Sequence, residues 1–434
     1  MQNSRNVALK ILYNVDANGA YINIELKNAL DKCELKVVDK KLVTELVHGV
    51  IKYKLKLDYI INQFSKVKMK KISPYVLNIL RLGIYQIMFL DKIPDRAAIN
   101  ESVNLTKIYS PHSAGFVNAI LRNVTRTQVK YPDDKLEFLS IYYSFEKWMV
   151  KSFLDEYGFD FTKELLDSLN KKKNLYIRVN TLKTNSDKLI EELEKSGIKA
   201  VKSYVLDDAL SVNSLTDLSS LDSFKNGDFY VQDLSSMLAA KALCPKENDC
   251  AIDVCAAPGG KTSYIAQLMN NKGKIYALDV HEHKLRLMHE NFKRLGIDIV
   301  ETSLNNSEHL NENYIEKADC VLVDAPCSGL GIISKKPDIK YSVKEDDIKS
   351  LAEQSFKILC TSSKYVKKGG TLVYSLCTFT KEEGIDNVEK FLQYDKRFEL
   401  DSIRCYNEEN NGMITLLPNK CDADGFFICK FKRK

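Results

Sequence analysis

Two short stretches place a cysteine just past a run of strand-like residues: "VDAPCSG" (Val323 to Gly329) and, 50 residues on, "YSLCT" (Tyr374 to Thr378). Thiols at such positions serve as metal ligands, as a disulfide, or as two partners in one reaction. The metal reading has little support, because no CxxC pair exists and the six histidines do not combine with cysteines at zinc-ligand spacing. "HEH" at His281 to His283 opens an amphipathic helical stretch and reads as a solvated helix face. A disulfide framework belongs to an oxidising compartment. The opening "MQNSRNVALKILYNV" has no apolar core followed by small residues, so a secretion signal is not expected and a cytoplasmic location is. That leaves Cys327 and Cys377 as candidates for shared chemistry. Most of the thiols read as packing or surface residues, Cys320 between "AD" and "VLV" as a small buried hydrophobe.

A second constellation precedes them. "CAAPGGKT" (Cys255 to Thr262) follows the strand-like "CAIDV" and opens a helix. Its small residues and two glycines let backbone approach a ligand closely. It is not a Walker loop, since GxxxxGK[ST] requires glycine where Cys255 stands, and it is not GxGxxG. A second strand, "KIYALDV", ends in Asp279, 18 residues beyond Lys261. An acidic residue at that strand end suits ribose hydroxyls. A nucleoside-containing ligand with no pyrophosphate to cradle is implied, and S-adenosylmethionine fits.

The elements that must position these residues are legible in the periodicity. From about 246, strands and helices alternate through "CAIDV", "KIYALDV", "IDIVET", "DCVLVDAP" and "GGTLVYSL", which predicts a mostly parallel, doubly wound α/β sheet. Residues 1–128 show apolar spacings of three and four with no strand alternation, which predicts an all-α domain. Within it, Ser73 and Pro74 mark a helix start. "VKYPDD" reads as a linker, and 129–240 as a small α+β region containing the strand "NLYIRVNTL". The α/β catalytic domain is placed at 241–434. The 434-residue length suits two or three domains. No apolar run reaches the roughly 18 residues of a membrane span. The net charge of +6, with basic runs "KVKMKK" and "KFKRK", is compatible with a nucleic-acid partner without requiring one.

In that order and spacing, "DVCAAPGGKT", "DAPCSGLG" and "YSLCTFTKEEG" resemble the RNA cytosine-5 methyltransferases of the RsmB (Sun/Fmu) type. The resemblance covers nearly the whole chain. "TELVHGVIK", "ILRLGIYQIMFL" and "GFVNAILR" are similar to the NusB-like, RNA-binding domain of that branch. "LYIRVNTLKT" and "FYVQDLSSMLAA" are similar to its middle region, and "DADGFFICKFKRK" to its last strand. The resemblance implies a Rossmann-like methyltransferase domain and S-adenosylmethionine contacts from Cys255, Ala256, Ala257, Pro258, Gly259, Gly260, Lys261, Asp279, Asn305 and Asp324. It implies small-subunit ribosomal RNA as partner, with no membrane, no metal and a monomeric enzyme. Two departures stand out. Asn305 occupies a position that is usually acidic, and Leu376 precedes the last cysteine where threonine or serine is usual.

The resemblance also gives the two thiols a chemistry. Carbon 5 of cytosine is a poor nucleophile, and a thiolate adding to carbon 6 turns the ring into an enamine that can take a methyl group. A base then removes the proton from carbon 5 and the thiol leaves. The family assigns addition to Cys377 and release to Cys327. DNA cytosine-5 methyltransferases use the Pro-Cys thiol instead, and the residues alone do not choose. Asp324 is expected near the ring nitrogen or amino group. Lys261 is expected beside the thiolate, lowering its pKa. "KKPDIKY" (Lys335 to Tyr341) resembles a segment lining the substrate crevice, with cations able to hold phosphate. A pure RNA-binding module would be expected to have lost a thiol or the glycine-rich loop, and both are intact. Methyltransferases of glutamine or adenine carry Asn/Asp-Pro-Pro-Tyr/Phe where this chain has "DAPC".

Overall fold

The computed structural model describes residues 3–20, 22–213, 218–405 and 408–434. The chain forms two compact units. One comprises the residues up to Asn170 together with Lys336–Ser342, and the other comprises Lys171–Lys335 and Val343–Lys434.

The first unit is helical. Its principal helix, Pro74–Phe89, is started by the Ser73 side chain, which accepts from the Val76 amide, with Pro74 at the first helical position. Its apolar residues Ile79, Leu80 and Ile84 are fully buried with Leu46, Val47, Leu57, Ile60 and Leu121 from neighbouring helices. Gly49 makes room for the Tyr85 ring: a Cβ there would lie 1.9 Å from Tyr85 Cζ, and the ring would have to move. Arg81, buried in the same core, is held as a bidentate pair by Asp58 at 2.6 and 2.7 Å and also by Asp16.

The helical unit runs past the boundary expected at 128. Helices Lys135–Tyr143, Lys147–Tyr157 and Phe159–Asn170 belong to it. By packing, residues 129–170 group with the helical unit. The polar "VKYPDD" looks like a linker, but the aromatic residues around and after it pack back. Tyr131 and Tyr142 surround the Lys56 ammonium, 3.8 Å from the Tyr142 ring centroid. The Lys56 amide donates to Ser144 Oγ at 2.8 Å.

Lys336–Ser342 corrects a second expectation. Lys340 is fully buried in the helical unit. Its Nζ donates to the carbonyls of Lys52 and Tyr143 at 3.0 and 3.2 Å and to Asn170 Oδ1 at 2.6 Å, over the Phe145 ring. An ammonium whose donors are spent on three internal acceptors has none left for phosphate. Burial pushes its proton affinity well below that of an ordinary lysine.

The second unit carries two sheets. Strands β1 (Leu175–Val179), β2 (Ala200–Lys202), β3 (Ala209–Val212) and β4 (Phe229–Val231) form an antiparallel sheet in the order β2-β3-β1-β4. Helix Ser186–Lys195, capped by Asn185, buries Leu189 and Leu193. The large sheet is built from β5 (Cys250–Asp253), β6 (Lys274–Asp279), β7 (Val300–Leu304), β8 (Ala318–Asp324), β9 (Val366–Leu376) and β10 (Phe398–Leu400). A short hairpin of β11 (Ile403–Cys405) and β12 (Glu408–Asn410) follows, then β13 (Met413–Leu416) and β14 (Phe426–Arg433). The large-sheet order is β10-β14-β9-β8-β5-β6-β7, with β13 beside β14. Strands β5 to β9 are mutually parallel, and β14 inserts antiparallel to β9. The central strands are nearly continuous apolar runs because helices cover both faces. Leu278, Val321, Leu322, Val323, Leu372 and Val373 are wholly buried.

Candidate functional site

The chain leaves β5 toward β6 and β7 on one side and returns to β8 and β9 on the other. The gap beyond the carboxyl ends of β5 and β8 is therefore the crevice that such sheets offer a ligand. Four chemistry-bearing residues stand at strand ends there: Asp253 closes β5, Asp279 β6, Asp324 β8, and Cys377 follows β9. A cleft of about 250 Å³ opens among Asp253, Cys255, Ala257, Pro258, Lys261 and Asp324, with Tyr230, Gln232 and Asp233 from the neighbouring segment.

The glycine-rich turn carries the chain from β5 into helix Gly260–Leu268. Gly259 has φ of 94°, a conformation open to glycine, and a Cβ there would meet Phe292 at 3.1 Å. Asp279 fixes this turn, accepting from the Ala257 amide at 3.1 Å and the His281 amide at 3.0 Å. The Asn305 amide donates to the Asp279 carbonyl at 3.0 Å, and Asn305 Oδ1 accepts from Asn311 Nδ2 at 3.1 Å. Asp253 accepts from Thr262 Oγ1 at 2.7 Å. Burial pushes its carboxyl up to about 7, with the Asp324 charge adding to the effect. The Cys255 thiol is raised by burial and by the carboxylates of Asp253, Asp324 and Asp279, which makes it an inert lining group.

The two thiols named first in the sequence meet. Cys327 Sγ and Cys377 Sγ are 3.2 Å apart. Beside them Lys261 Nζ pairs with Asp324 Oδ2 at 2.7 Å, and Asp324 Oδ1 accepts from Ser375 Oγ at 2.9 Å. Burial opposes the charge on Lys261, but Asp324 outweighs it and the ammonium is held, with Cys377 also in its field. Cys327 sits differently. Its hydrogen bond to Cys377, its burial and the nearby Glu383 carboxylate push its thiol well above the usual range, so it keeps its proton. The Cys377 carbonyl accepts from the Gly331 amide at 3.0 Å, where Gly331 and Gly425 pack backbone to backbone.

The chain is similar to known proteins along its length. Residues 240–432 match the family described as 16S rRNA methyltransferase RsmB/F, residues 2–126 the NusB family, and residues 145–219 the ferredoxin-like domain of RsmF/B-like methyltransferases. The chain is 39% identical to the probable ribosomal RNA small subunit methyltransferase B of Bacillus subtilis, over 99% of this chain and 98% of that one. The chain belongs to the RsmB family. It is 29% identical to ribosomal RNA small subunit methyltransferase B of Vibrio vulnificus over 98% of both. The crystal structure of PH0851 superposes with a TM-score of 0.83 at 26% identity, covering 100% of this chain and 99% of that one. NSun6 from Pyrococcus horikoshii, solved with SFG, covers 67% of this chain and 98% of that one with a TM-score of 0.61 at 28% identity.

As an RsmB-family methyltransferase the chain uses S-adenosylmethionine. The residues present fit that group. Asp253 Oδ1 and Asn305 Nδ2 are buried with no hydrogen-bond partner. An acceptor at the end of β5 and a donor just past the end of β7, with β6 between them, suit a ligand rich in polar edges. The free Nδ2 gives the asparagine at 305 a donor to offer where the RsmB pattern is acidic. Among the described residues, no group of three or more His, Cys, Asp or Glu side chains is placed to hold a metal, and no helix is long and apolar enough to cross a membrane.

Three further residues escaped the sequence reading. Arg178 on β1 is buried and donates to the Gly260 carbonyl at 2.8 Å, to Ser263 Oγ at 2.8 Å, and to Gln232. It thereby ties the small sheet to the turn, lying against the rings of Tyr230 and Tyr264. Its alternating-strand setting gave no signal that a charge faced inward. Glu383 is wholly buried between the two cysteine loops. Asp424, preceding β14, joins Asp233 in holding Lys335 Nζ, both at 2.6 Å. Lys335 is thus neutralised by two carboxylates and is not the phosphate-holding cation expected.

Proposed function

We propose that this RsmB-family enzyme transfers a methyl group from S-adenosylmethionine to carbon 5 of a cytosine in small-subunit ribosomal RNA, through a covalent adduct between Cys377 and the base. The observation that carries this reading is the pair of thiols 3.2 Å apart in unequal electrostatic settings. Cys377 lies in the field of the Lys261 ammonium. Cys327 faces the Glu383 carboxylate. A cation favours a thiolate and an anion disfavours one, which suits Cys377 to attack and Cys327 to hold a proton.

The Cys377 thiolate adds to carbon 6, and the ring electrons move toward carbon 5. The bound cofactor supplies its sulfonium methyl to that carbon. The Asp324 carboxylate, held by Lys261 and Ser375, would accept a hydrogen bond from the cytosine amino group and so orient the base. Loss of the carbon 5 proton to a base then lets the carbon 6–sulfur bond break and restores the ring double bond. Cys327 hydrogen-bonds the departing Cys377 sulfur and assists its release.

The helical unit is proposed to bind RNA. Lys66, Lys68, Lys70 and Lys71 are exposed between two of its helices. The enzyme is proposed to act as a cytoplasmic monomer. Bisulfite sequencing of small-subunit rRNA from cells with and without the gene tests the reaction. One cytosine should lose its protection in the deletion strain and regain it on complementation. An unchanged pattern refutes the carbon 5 assignment.

A further inference from the structure

The loop carrying Cys327 follows β8 and the loop carrying Cys377 follows β9. Strand pairing aligns the strand ends, Asp324 opposite Ser375, but the ladder stops there. Beyond it one wholly buried carboxylate receives both loops. Glu383 Oε1 accepts from the Ser328 amide at 2.7 Å. Glu383 Oε2 accepts from Ser328 Oγ at 2.6 Å and from Thr380 Oγ1 at 2.7 Å. Ser328 Oγ and Thr378 Oγ1 are hydrogen-bonded at 2.9 Å, so the residue after one cysteine is joined to the residue after the other. The carboxylate is itself anchored through its backbone. Its carbonyl accepts from Tyr374 OH at 2.8 Å and from Asn387 Nδ2 at 3.3 Å.

We infer that Glu383 is a positioning residue that sets the Cys327–Cys377 separation by clamping Ser328 and Thr380 onto one carboxylate. This rests on the two-thiol reading above, and it concerns how that pair is held together. Glutamate is not interchangeable with glutamine here. A carboxylate accepts at both oxygens, which three donors in two loops require, whereas an amide accepts at one only. Bonds to a buried charge are also stronger than neutral ones, which is what holding two loops to within a fraction of an ångström demands. After the Cys377 hydrogen bond, burial and the Cys377 charge, the same carboxylate also opposes ionisation of Cys327, so the clamp contributes to the protonation of the thiol as well as to its place.

The test uses the full-length protein and a readout that needs no methyl transfer. Under limiting diamide, which accepts two electrons and two protons, the Cys327 and Cys377 thiols become one disulfide. Mass spectrometry of the linked peptide gives its rate. Glu383→Gln keeps the volume and should slow this step by about tenfold, the scale of one lost charge-assisted hydrogen bond. Ser328→Ala, which removes only a hydroxyl, should give a smaller loss in the same direction. Cys327 in a Cys377→Ser background should be alkylated by iodoacetamide at lower pH when Glu383→Gln is added, a shift that a purely structural role would not produce. Unchanged disulfide rates in both variants, with folding verified by circular dichroism, overturn the inference. Unchanged alkylation pH overturns its electrostatic part. If Cys377→Ala retains methyl transfer, the two-thiol mechanism fails, while the disulfide rates still decide whether Glu383 holds the loops.

Discussion

Lys261 Nζ lies 2.7 Å from Asp324 Oδ2, so the helix that follows the glycine-rich turn is pinned to the end of the neighbouring central strand. The pair joins the cofactor side of the crevice to the side holding the thiols. Lys261→Met should abolish turnover and cost up to about 3 kcal/mol of stability, because it leaves the Asp324 carboxylate without its cation in a partly buried place. Adding Asp324→Asn should recover stability but not activity. Thermal unfolding together with methyl transfer to rRNA separates the two effects. Recovery of both would reduce the pair to a structural tie.

Asp279 holds two backbone amides, Ala257 and His281, and stands at the strand end facing the proposed ribose position. Asp279→Ala should weaken S-adenosylmethionine binding by about 1–3 kcal/mol, the cost of leaving polar groups unpaired. Calorimetry measures this directly, and an unchanged affinity would move the cofactor away from this turn.

Asp253 supplies a pH dependence with a definite sign. Its carboxyl is raised to about 7 by burial, above an ordinary aspartate near 4 in the unfolded chain. A raised folded value means that the stability contribution is complete below about 4 and is lost as pH rises through about 7. Asp253→Asn should therefore flatten the stability profile over that window relative to the parent, leaving the similarly raised Asp424 to contribute equally to both. S-adenosylmethionine is cationic at its ammonium and sulfonium groups, so its binding should tighten as Asp253 ionises and lose that trend in Asp253→Asn. Denaturant titrations at pH 5 and pH 8, with and without cofactor, would expose either failure.

Arg178 reaches from β1 to the Gly260 carbonyl and Ser263 with a planar fork of donors. Arg178→Lys should raise the dissociation constant for S-adenosylmethionine by roughly tenfold, since one ammonium cannot replace geometrically fixed donors. Equal affinity in the variant would confine Arg178 to packing.

What the sequence made legible follows from what is local. Cys327 and Cys377 could be paired in thought because strand runs precede both, and adjacent parallel strands deliver their ends to one place. Asp279 and the turn from Cys255 to Lys261 were legible for the same reason: strand, glycine turn and helix are contiguous. The residues that were misread or missed are those whose partners are remote. Lys335 and Lys340 look alike in "KKPDIKY", yet one is spent on Asp233 and Asp424 and the other on Lys52, Tyr143 and Asn170. Arg178 and Glu383 are charged residues that the local pattern gave no reason to single out, and both are buried by tertiary partners. The break at "VKYPDD" predicted a domain edge because nothing local reveals that Tyr131 and Tyr142 pack around Lys56.

The thiols themselves give the most decisive experiment. If Cys377 adds to carbon 6, Cys377→Ala should lose turnover and form no covalent species. If Cys327 serves release, Cys327→Ala should still form the adduct but fail to resolve it, because the departing sulfur loses the hydrogen bond seen at 3.2 Å. A denaturing gel of each variant incubated with rRNA and S-adenosylmethionine distinguishes them: a retarded protein–RNA band is expected for Cys327→Ala and none for Cys377→Ala. The electrostatic difference between the sites argues for this order, since Lys261 faces Cys377 and Glu383 faces Cys327. The reverse pattern would make Cys327 the nucleophile. It would mean that proximity to the proton-retaining Glu383 side does not prevent attack, as in the DNA enzymes that use the Pro-Cys thiol. Full activity in both variants would remove covalent catalysis and leave two packed thiols beside a cofactor site.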